Sequence, residues 1–205
     1  MRGLFSPPSM DDLIRLLKAW RFWTVGALLG ALLGASVFYL APPPYRARAT
    51  VLVDFNLEEA WPQETDRQQF YYLERETRKL KEIAWSDSVM QTIANSDGTI
   101  TVSELRSGKL QLSQPAEAGW HFYADDQNSR RAQNLASTWA QAFEEQATQN
   151  VANAAGLNSF IEVEPTQTES PHTERSIPLS SYLLTGAIGF LAIASFLVLF
   201  FLKPT

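Results

Sequence analysis

Residues 22–40, FWTVGALLGALLGASVFYL, and residues 182–202, YLLTGAIGFLAIASFLVLFFL, decide how the rest of the chain is read. Each is about 20 residues without a charged side chain, long enough as a helix to cross a hydrocarbon core of roughly 30 Å. Trp20, Arg21, Trp23 and Tyr39 at the first stretch, and Tyr182 and Lys203 at the second, are residue types suited to the headgroup region. The expectation is a two-pass membrane protein. A tail over 1–21 leads to transmembrane helices at 22–40 and 182–202, with a domain over 41–181 between them and a short tail over 203–205. Two crossings return the chain to its starting side, so both termini share a compartment.

Whole-chain values conceal this division: 205 residues, a formal charge of −5 and a mean hydropathy of −0.15 describe an ordinary acidic soluble protein. Divided at the spans, the first tail carries Arg2, Arg15, Lys18 and Arg21 against Asp11 and Asp12, and the last carries Lys203. The acid lies in the middle. The positive-inside bias places both tails in the cytoplasm and the middle domain outside it, against the opposing charges of Arg46, Arg48 and Arg175. Ala47-Arg48-Ala49 has the form of a leader-cleavage site. The apolar run before it is longer than a usual leader core, and three prolines intervene, so a retained span is expected. The chain has no cysteine and therefore no disulfide or thiolate chemistry.

Ser9-Met10-Asp11-Asp12 reads as a helix start with Ser9 as N-cap, and Met10, Leu13, Ile14 and Leu17 then share one face away from Arg15 and Lys18. Two readings fit: a short helix lying on the inner leaflet, or the first span continuing into water. After Pro42-Pro43-Pro44, residues 45–53 alternate Tyr45, Ala47, Ala49, Val51 and Val53 against Arg46, Arg48, Thr50 and Leu52, which predicts a strand. A loop over 56–65 leads to a helical region over 66–95. There Phe70, Leu73, Leu80 and Ile83 form the expected apolar stripe, and Ser86 or Asp87 caps a second helix. Thr101-Val102-Ser103-Glu104 has the capping-box pattern for a further helical turn ending at Gly108.

Residues 109–113 and 119–124 alternate as two strands of a hairpin, with Leu110 and Leu112, then Trp120 and Phe122, on one face and His121 and Tyr123 on the other. Asp125-Asp126 is expected to open a long helix whose Ala132, Leu135, Ala136, Trp139, Ala140 and Phe143 keep helical spacing. A last strand is expected over 159–164. The predicted class is α+β, in the order β-α-β-β-α-β, with helices layered on one sheet.

No Walker A sequence, dinucleotide glycine motif, His-x-x-x-His pair or cysteine cluster occurs, so neither cofactor nor metal is expected. His121 and His172 lie far apart in sequence and lack a nucleophile with a supporting acid. The acidic pairs Glu58-Glu59, Asp125-Asp126, Glu144-Glu145 and Glu162 with Glu164 read as caps, strand faces and solvated surface. No catalytic residue is assigned. Were the chain a carbohydrate-modifying enzyme, Asp125, Asp126, Glu162 and Glu164 would be the candidates. The domain has no basic stripe, which argues against nucleic acid. Arg75, Arg78, Lys79 and Lys81, interspersed with Glu74, Glu76 and Glu82, read as a solvated helix face with internal ion pairs, the alternative being salt bridges to a neighbouring subunit.

In the first span Gly26, Gly30 and Gly34 fall on one helical face, flanked by Ala27, Ala31 and Ala35, and Gly186 and Gly189 offer small residues on the second. Small residues at that spacing let helices approach closely. These five glycines are the candidate helix-packing residues, with the chain's own second span, another subunit or a different protein as the partner.

Taken in order, these pieces resemble the Wzz-type chain-length determinants, also called polysaccharide co-polymerases. The residues that carry the resemblance are Asp11-Asp12-Leu13-Ile14-Arg15-Leu16-Leu17, and Pro44 to Val53, which looks like the family's Pro-x-Tyr-x-Ala-x-Ala-x-Leu-x-Val strand. With them go Leu105 to Leu112, Ala132 to Phe143, and the prolines Pro165, Pro171 and Pro178 before a glycine-containing last span. Ser137 stands where the family often has Asn, the prolines are more loosely spaced, and the middle is short. The resemblance implies a non-catalytic homo-oligomer in the plasma (inner) membrane. Its partners would be a polysaccharide polymerase, the bilayer and the glycan chain, and its role would be to set chain length in lipopolysaccharide O-antigen or exopolysaccharide synthesis. The alternative is a membrane adaptor that activates a separate cytoplasmic tyrosine kinase or export complex. Such an adaptor calls for a substantial cytoplasmic tail, where this sequence has Lys203-Pro204-Thr205.

Overall fold

The computed structural model describes residues 10–60, 66–113, 119–153 and 156–201. They form a mixed α+β structure in two compact units, one of helices from the two ends of the chain and one spanning Pro44–Ser176.

The helical unit contains α1 (Met10–Lys18), α2 (Trp20–Leu40) and α8 (Leu179–Phe201). Both α2 and α8 are long and apolar enough to cross a membrane. They start earlier than the apolar runs alone suggest, at Trp20 rather than Phe22 and at Leu179 rather than Tyr182. Pro178 fixes the latter start, and the Ser181 N–H donates to its carbonyl at 3.0 Å. Ser9, the expected cap of α1, lies outside the described residues. A turn at Ala19 separates α1 from α2, so the first helix is distinct from the span rather than its continuation. Met10, Ile14 and Leu17 of α1 are exposed.

The Pro44–Ser176 unit is built on an antiparallel sheet of β1 (Tyr45–Asp54), β2 (Leu110–Ser113), β3 (Gly119–Asp126) and β4 (Glu162–Arg175), in the spatial order β2-β3-β1-β4. Between β1 and β2 lie α3 (Leu57–Ala60), α4 (Asp66–Ala84), α5 (Asp87–Asp97) and α6 (Val102–Glu104), and between β3 and β4 lies α7 (Ser129–Ala152). The inward residues of the central strand, Ala47, Ala49, Val51 and Val53, are essentially inaccessible. Two alanines there leave room for large rings nearby. Trp120, Phe122, Trp139 and Phe143 share the core, with Phe122 edge-on to Trp139 at 4.9 Å and Trp120 stacked on Phe143 at 5.5 Å. Helix α7 lies on the sheet, and α4 and α5 pack against α7. Both alanines of the Ala47-Arg48-Ala49 motif are thus buried within the central strand.

Local chemistry sets several boundaries. Ser86 caps α5, and Gly98 closes it at φ 70°. Thr101 and Glu104 form the capping box of α6. The wide turn that follows, Leu105–Lys109, reverses at Gly108 with φ 127°, a backbone conformation that disfavours a side chain.

Four expectations are corrected. Asp125-Asp126 does not open α7: β3 runs on through both residues, which pair with Arg46 and Tyr45, and Asn128 caps the helix by accepting from the Arg130 and Arg131 N–H groups. The last strand is not residues 159–164 but Glu162–Arg175. It carries Pro165 and Pro171, tolerable because β4 is an edge strand whose register against β1 shifts around Thr50. The expected loop over 56–65 contains α3, with 61–65 outside the described residues. On α4 the buried face is Tyr72, Glu76, Leu80 and Ala84, whereas Phe70 is 62% exposed.

Candidate functional site

The five candidate glycines do not play equivalent parts. A methyl group added to Gly30 would overlap the Gly186 carbonyl oxygen and come within 2.8 Å of the Phe190 Cβ. At Gly34 it would overlap the Tyr182 carbonyl, and at Gly186 the carbonyl of Gly30. At Gly26 it would meet the Ala194 Cβ at 3.3 Å, and at Gly189 nothing within 4 Å. The backbones of α2 and α8 are therefore in contact, with glycine on both sides at Gly30–Gly186 and on one side at Gly34–Tyr182. The partner of the seam is the chain's own second apolar helix.

The register runs in opposite directions along the two helices: Gly34 meets Tyr182, Gly30 meets Gly186, and Gly26 meets Ala194. Residues 182, 186, 190 and 194 form one i,i+4 ridge, and 26, 30 and 34 another. Gly189 stands three residues after Gly186, off that ridge. Tyr182, Phe190 and Ala194 keep i,i+4 spacing with Gly186, but Tyr182 and Phe190 do not carry the small-residue signal of a packing face. Tyr182 also sets its ring edge-on to Phe38 at 5.4 Å, closing one end of the seam. Leu28, Leu29, Leu32 and Leu33 are exposed.

In the other unit, the candidate carboxylates are engaged in different ways. Asp125 accepts two hydrogen bonds from Arg46, at 2.8 and 2.7 Å. That pairing raises the Arg46 pKa. Asp126 accepts from Lys109 at 3.0 Å and from the Asn128 N–H at 2.9 Å. Burial acts to raise its pKa, but those donors and the charges of Lys109 and Arg131 outweigh it, and the net direction is down. Glu162 and Glu164 line a surface groove with Thr148, Val151, Ile161 and Val163. Burial raises the Glu144 pKa. Among the described residues no three His, Asp or Glu side chains are placed to share a metal ion.

Several of the mixed charges of α4 are paired within the chain. Glu76 is fully buried, accepting from Lys79 at 2.8 Å, from Arg75 at 3.0 Å and from the Asn158 N–H at 3.3 Å. Lys79 also donates to the Gly156 carbonyl, so this helix is tied to the segment leading into β4. Arg78 and Glu74 form an exposed i,i+4 pair.

Arg131 on α7 donates to both oxygens of Asp97 at the end of α5, at 2.8 and 2.6 Å, and to the Thr99 hydroxyl. The Arg131 hydrogen bond is the main cause holding Asp97 well below the usual carboxylate range; burial opposes it and Thr99 assists. A carboxylate depressed in the folded state contributes stability that is present above its unfolded pKa, near 4, and lost as pH falls through the folded value. Melting temperature should therefore drop on acidification below about pH 4. Asp97→Asn should melt lower than wild type at pH 7 and change less below pH 4. Parallel melting curves for the two proteins across that range would refute this role.

In comparison with known proteins, no family model and no curated protein matches the chain.

Proposed function

We propose that this chain is a non-catalytic, oligomeric membrane scaffold that regulates chain length in surface polysaccharide synthesis by acting with a separate polymerase. In this reading α2 and α8 cross the plasma (inner) membrane, both termini are cytoplasmic, and the Pro44–Ser176 unit lies outside the cytoplasm. The observation that carries it is the way that unit begins and ends. β1 is a central strand, β4 pairs antiparallel beside it, Tyr45 stands opposite Arg175, and the Ser176 N–H donates to the Pro44 carbonyl at 2.9 Å. The two ends of the sheet unit thus lie side by side, and in sequence each adjoins an apolar helix. A domain held at both ends suits a scaffold, and the order of its elements supports the resemblance described above.

The glycine seam refines the reading. Since α2 and α8 occupy each other's small-residue faces, contact with lipid, a polymerase or a second subunit falls to the outward faces, such as Leu28, Leu29, Leu32 and Leu33. An assembly of this kind would alter how long a growing chain stays with its polymerase, without forming bonds itself. Deleting the gene should shift the modal length of a surface glycan while leaving its synthesis intact, read as a ladder on a gel. An unchanged ladder would refute the proposal, as would a stable monomer after gentle solubilisation.

A further inference from the structure

The face of the sheet opposite α7 carries Arg46, Arg48, Thr50 and Leu52 from β1, with His121, Tyr123 and Asp125 from β3. Arg46 is accounted for: it holds Asp125 and lies over the Tyr123 ring, 5.7 Å from its centre. Glu174, opposite Arg46 on β4, adds its charge to the same arginine. Arg48 differs. Its Nε is shielded from solvent and has no hydrogen-bond partner, and no carboxylate among the described residues lies within ion-pair distance. A shielded guanidinium donor without an acceptor is costly, and such groups are rare in folded proteins.

The surroundings of Arg48 are rich in donors. It pairs across the sheet with Tyr123 on β3 and with His172 on β4, and His121 lies diagonally adjacent, opposite Thr50. The Thr50 hydroxyl and His121 Nδ1 are 3.1 Å apart. In the neutral tautomer where Thr50 donates to Nδ1, the His121 Nε2–H remains a donor. Of the acids on the flanking strands, Asp125 accepts from Arg46, Asp126 accepts from Lys109, Glu174 stands opposite Arg46, and Glu164 and Glu162 stand opposite Leu52 and Asp54; Glu169 lies on β4 between the partners of Thr50 and Arg48. The His121 pKa is lowered, first by burial and then by the Arg48 charge, which agrees with a locally positive field.

We propose that Arg48, with His121 and His172 beside it, forms a binding site for a phosphate oxyanion on the face of the sheet opposite α7. The guanidinium supplies charge and a donor fork, and the two rings and the Tyr123 hydroxyl supply donors from both flanking strands. A phosphate, with several acceptor oxygens, can be met from all three strands at once. The inference stands on this sheet face alone and does not depend on the chain-length reading. The same chemistry is offered by free phosphate and by a phospholipid headgroup.

The test uses the full chain, with 15N-labelled histidines, in an uncharged maltoside detergent. Inorganic phosphate is titrated against chloride at matched ionic strength, and phosphatidylglycerol micelles form a separate arm. The His121 and His172 signals should move together and saturate with phosphate but not with chloride. A response to free phosphate identifies a soluble ligand, and one confined to phosphatidylglycerol identifies a headgroup. Arg48→Gln should weaken binding about tenfold or more, while Arg130→Gln, an exposed arginine elsewhere, should leave it unchanged. Equal titration of wild type and Arg48→Gln overturns the site, as do histidine signals that follow protein concentration instead of phosphate. If Arg48→Gln loses its native near-ultraviolet circular dichroism, wild type decides the matter: histidines that ignore both phosphate sources overturn the proposal.

Discussion

Gly30→Leu is expected to force α2 and α8 apart. In an exposed helix this exchange would be favourable by nearly 1 kcal/mol, because leucine loses less backbone freedom than glycine. Here the first added carbon meets the backbone carbonyl of Gly186 and the Phe190 Cβ. Neither can rotate aside, since one is main chain and the other is fixed to it. Inserting bulk into a packed site costs about 1–3 kcal/mol when side chains can shift, and a collision with backbone belongs at or above the upper end. The packing loss therefore exceeds the propensity gain. Gly189→Leu is the matched control: its added Cβ meets nothing within 4 Å, so only the gain remains. Gly26→Ala should fall between them, as the Ala194 methyl at 3.3 Å needs to yield only slightly. Unfolding in dodecyl sulfate, followed by circular dichroism, orders the three. Equal midpoints for Gly30→Leu and Gly189→Leu would mean the seam does not hold the helices together.

The order expected of these variants also marks what can be read from sequence. Helices α2 and α8 were legible because a charge-free run near 20 residues has few alternatives, and Ala132 to Phe143 because helical spacing repeats through three turns. The partner of the glycine ridge was not legible. It depends on which face of α8 turns inward, and residues 179–201 are apolar on every side. The strand limits failed for another reason. Asp125-Asp126 has the local signature of a helix cap, but pairing with Tyr45 and Arg46, some 80 residues away, keeps both in the sheet. β4 carries two prolines and no clean alternation, and only its place at the sheet edge makes it a strand. Likewise Glu76 reads as one charge in a solvated row, until Lys79, Arg75 and the Asn158 N–H allow it to be buried. Arg48 looks like the polar half of an alternating strand. Its missing acceptor becomes visible only once Arg46 is seen to hold the nearby acid.

Trp139→Ala should be the most damaging change in the Pro44–Ser176 unit. Trp139 is fully buried on α7, edge-on to Phe122 on the sheet at 4.9 Å and to Trp85 after α4 at the same distance. It therefore joins the sheet layer to the outer helices. Truncating a buried tryptophan to alanine costs about 3–5 kcal/mol through lost transfer energy and the cavity left behind. A second loss is specific to this site. The indole N–H donates to the Ala84 carbonyl at 2.9 Å, satisfying an acceptor at the C-terminal end of α4, where the helix offers no donor of its own. Trp139→Phe separates the two contributions: it keeps most of the apolar volume and abandons the Ala84 carbonyl, which should cost about 1–3 kcal/mol. Denaturant unfolding in mild detergent, monitored by near-ultraviolet circular dichroism, should rank wild type above Trp139→Phe and Trp139→Ala well below both. If Trp139→Ala were no less stable than Trp139→Phe, the ring would not be the link between layers, and the core would rest on Phe122 and Phe143 without it.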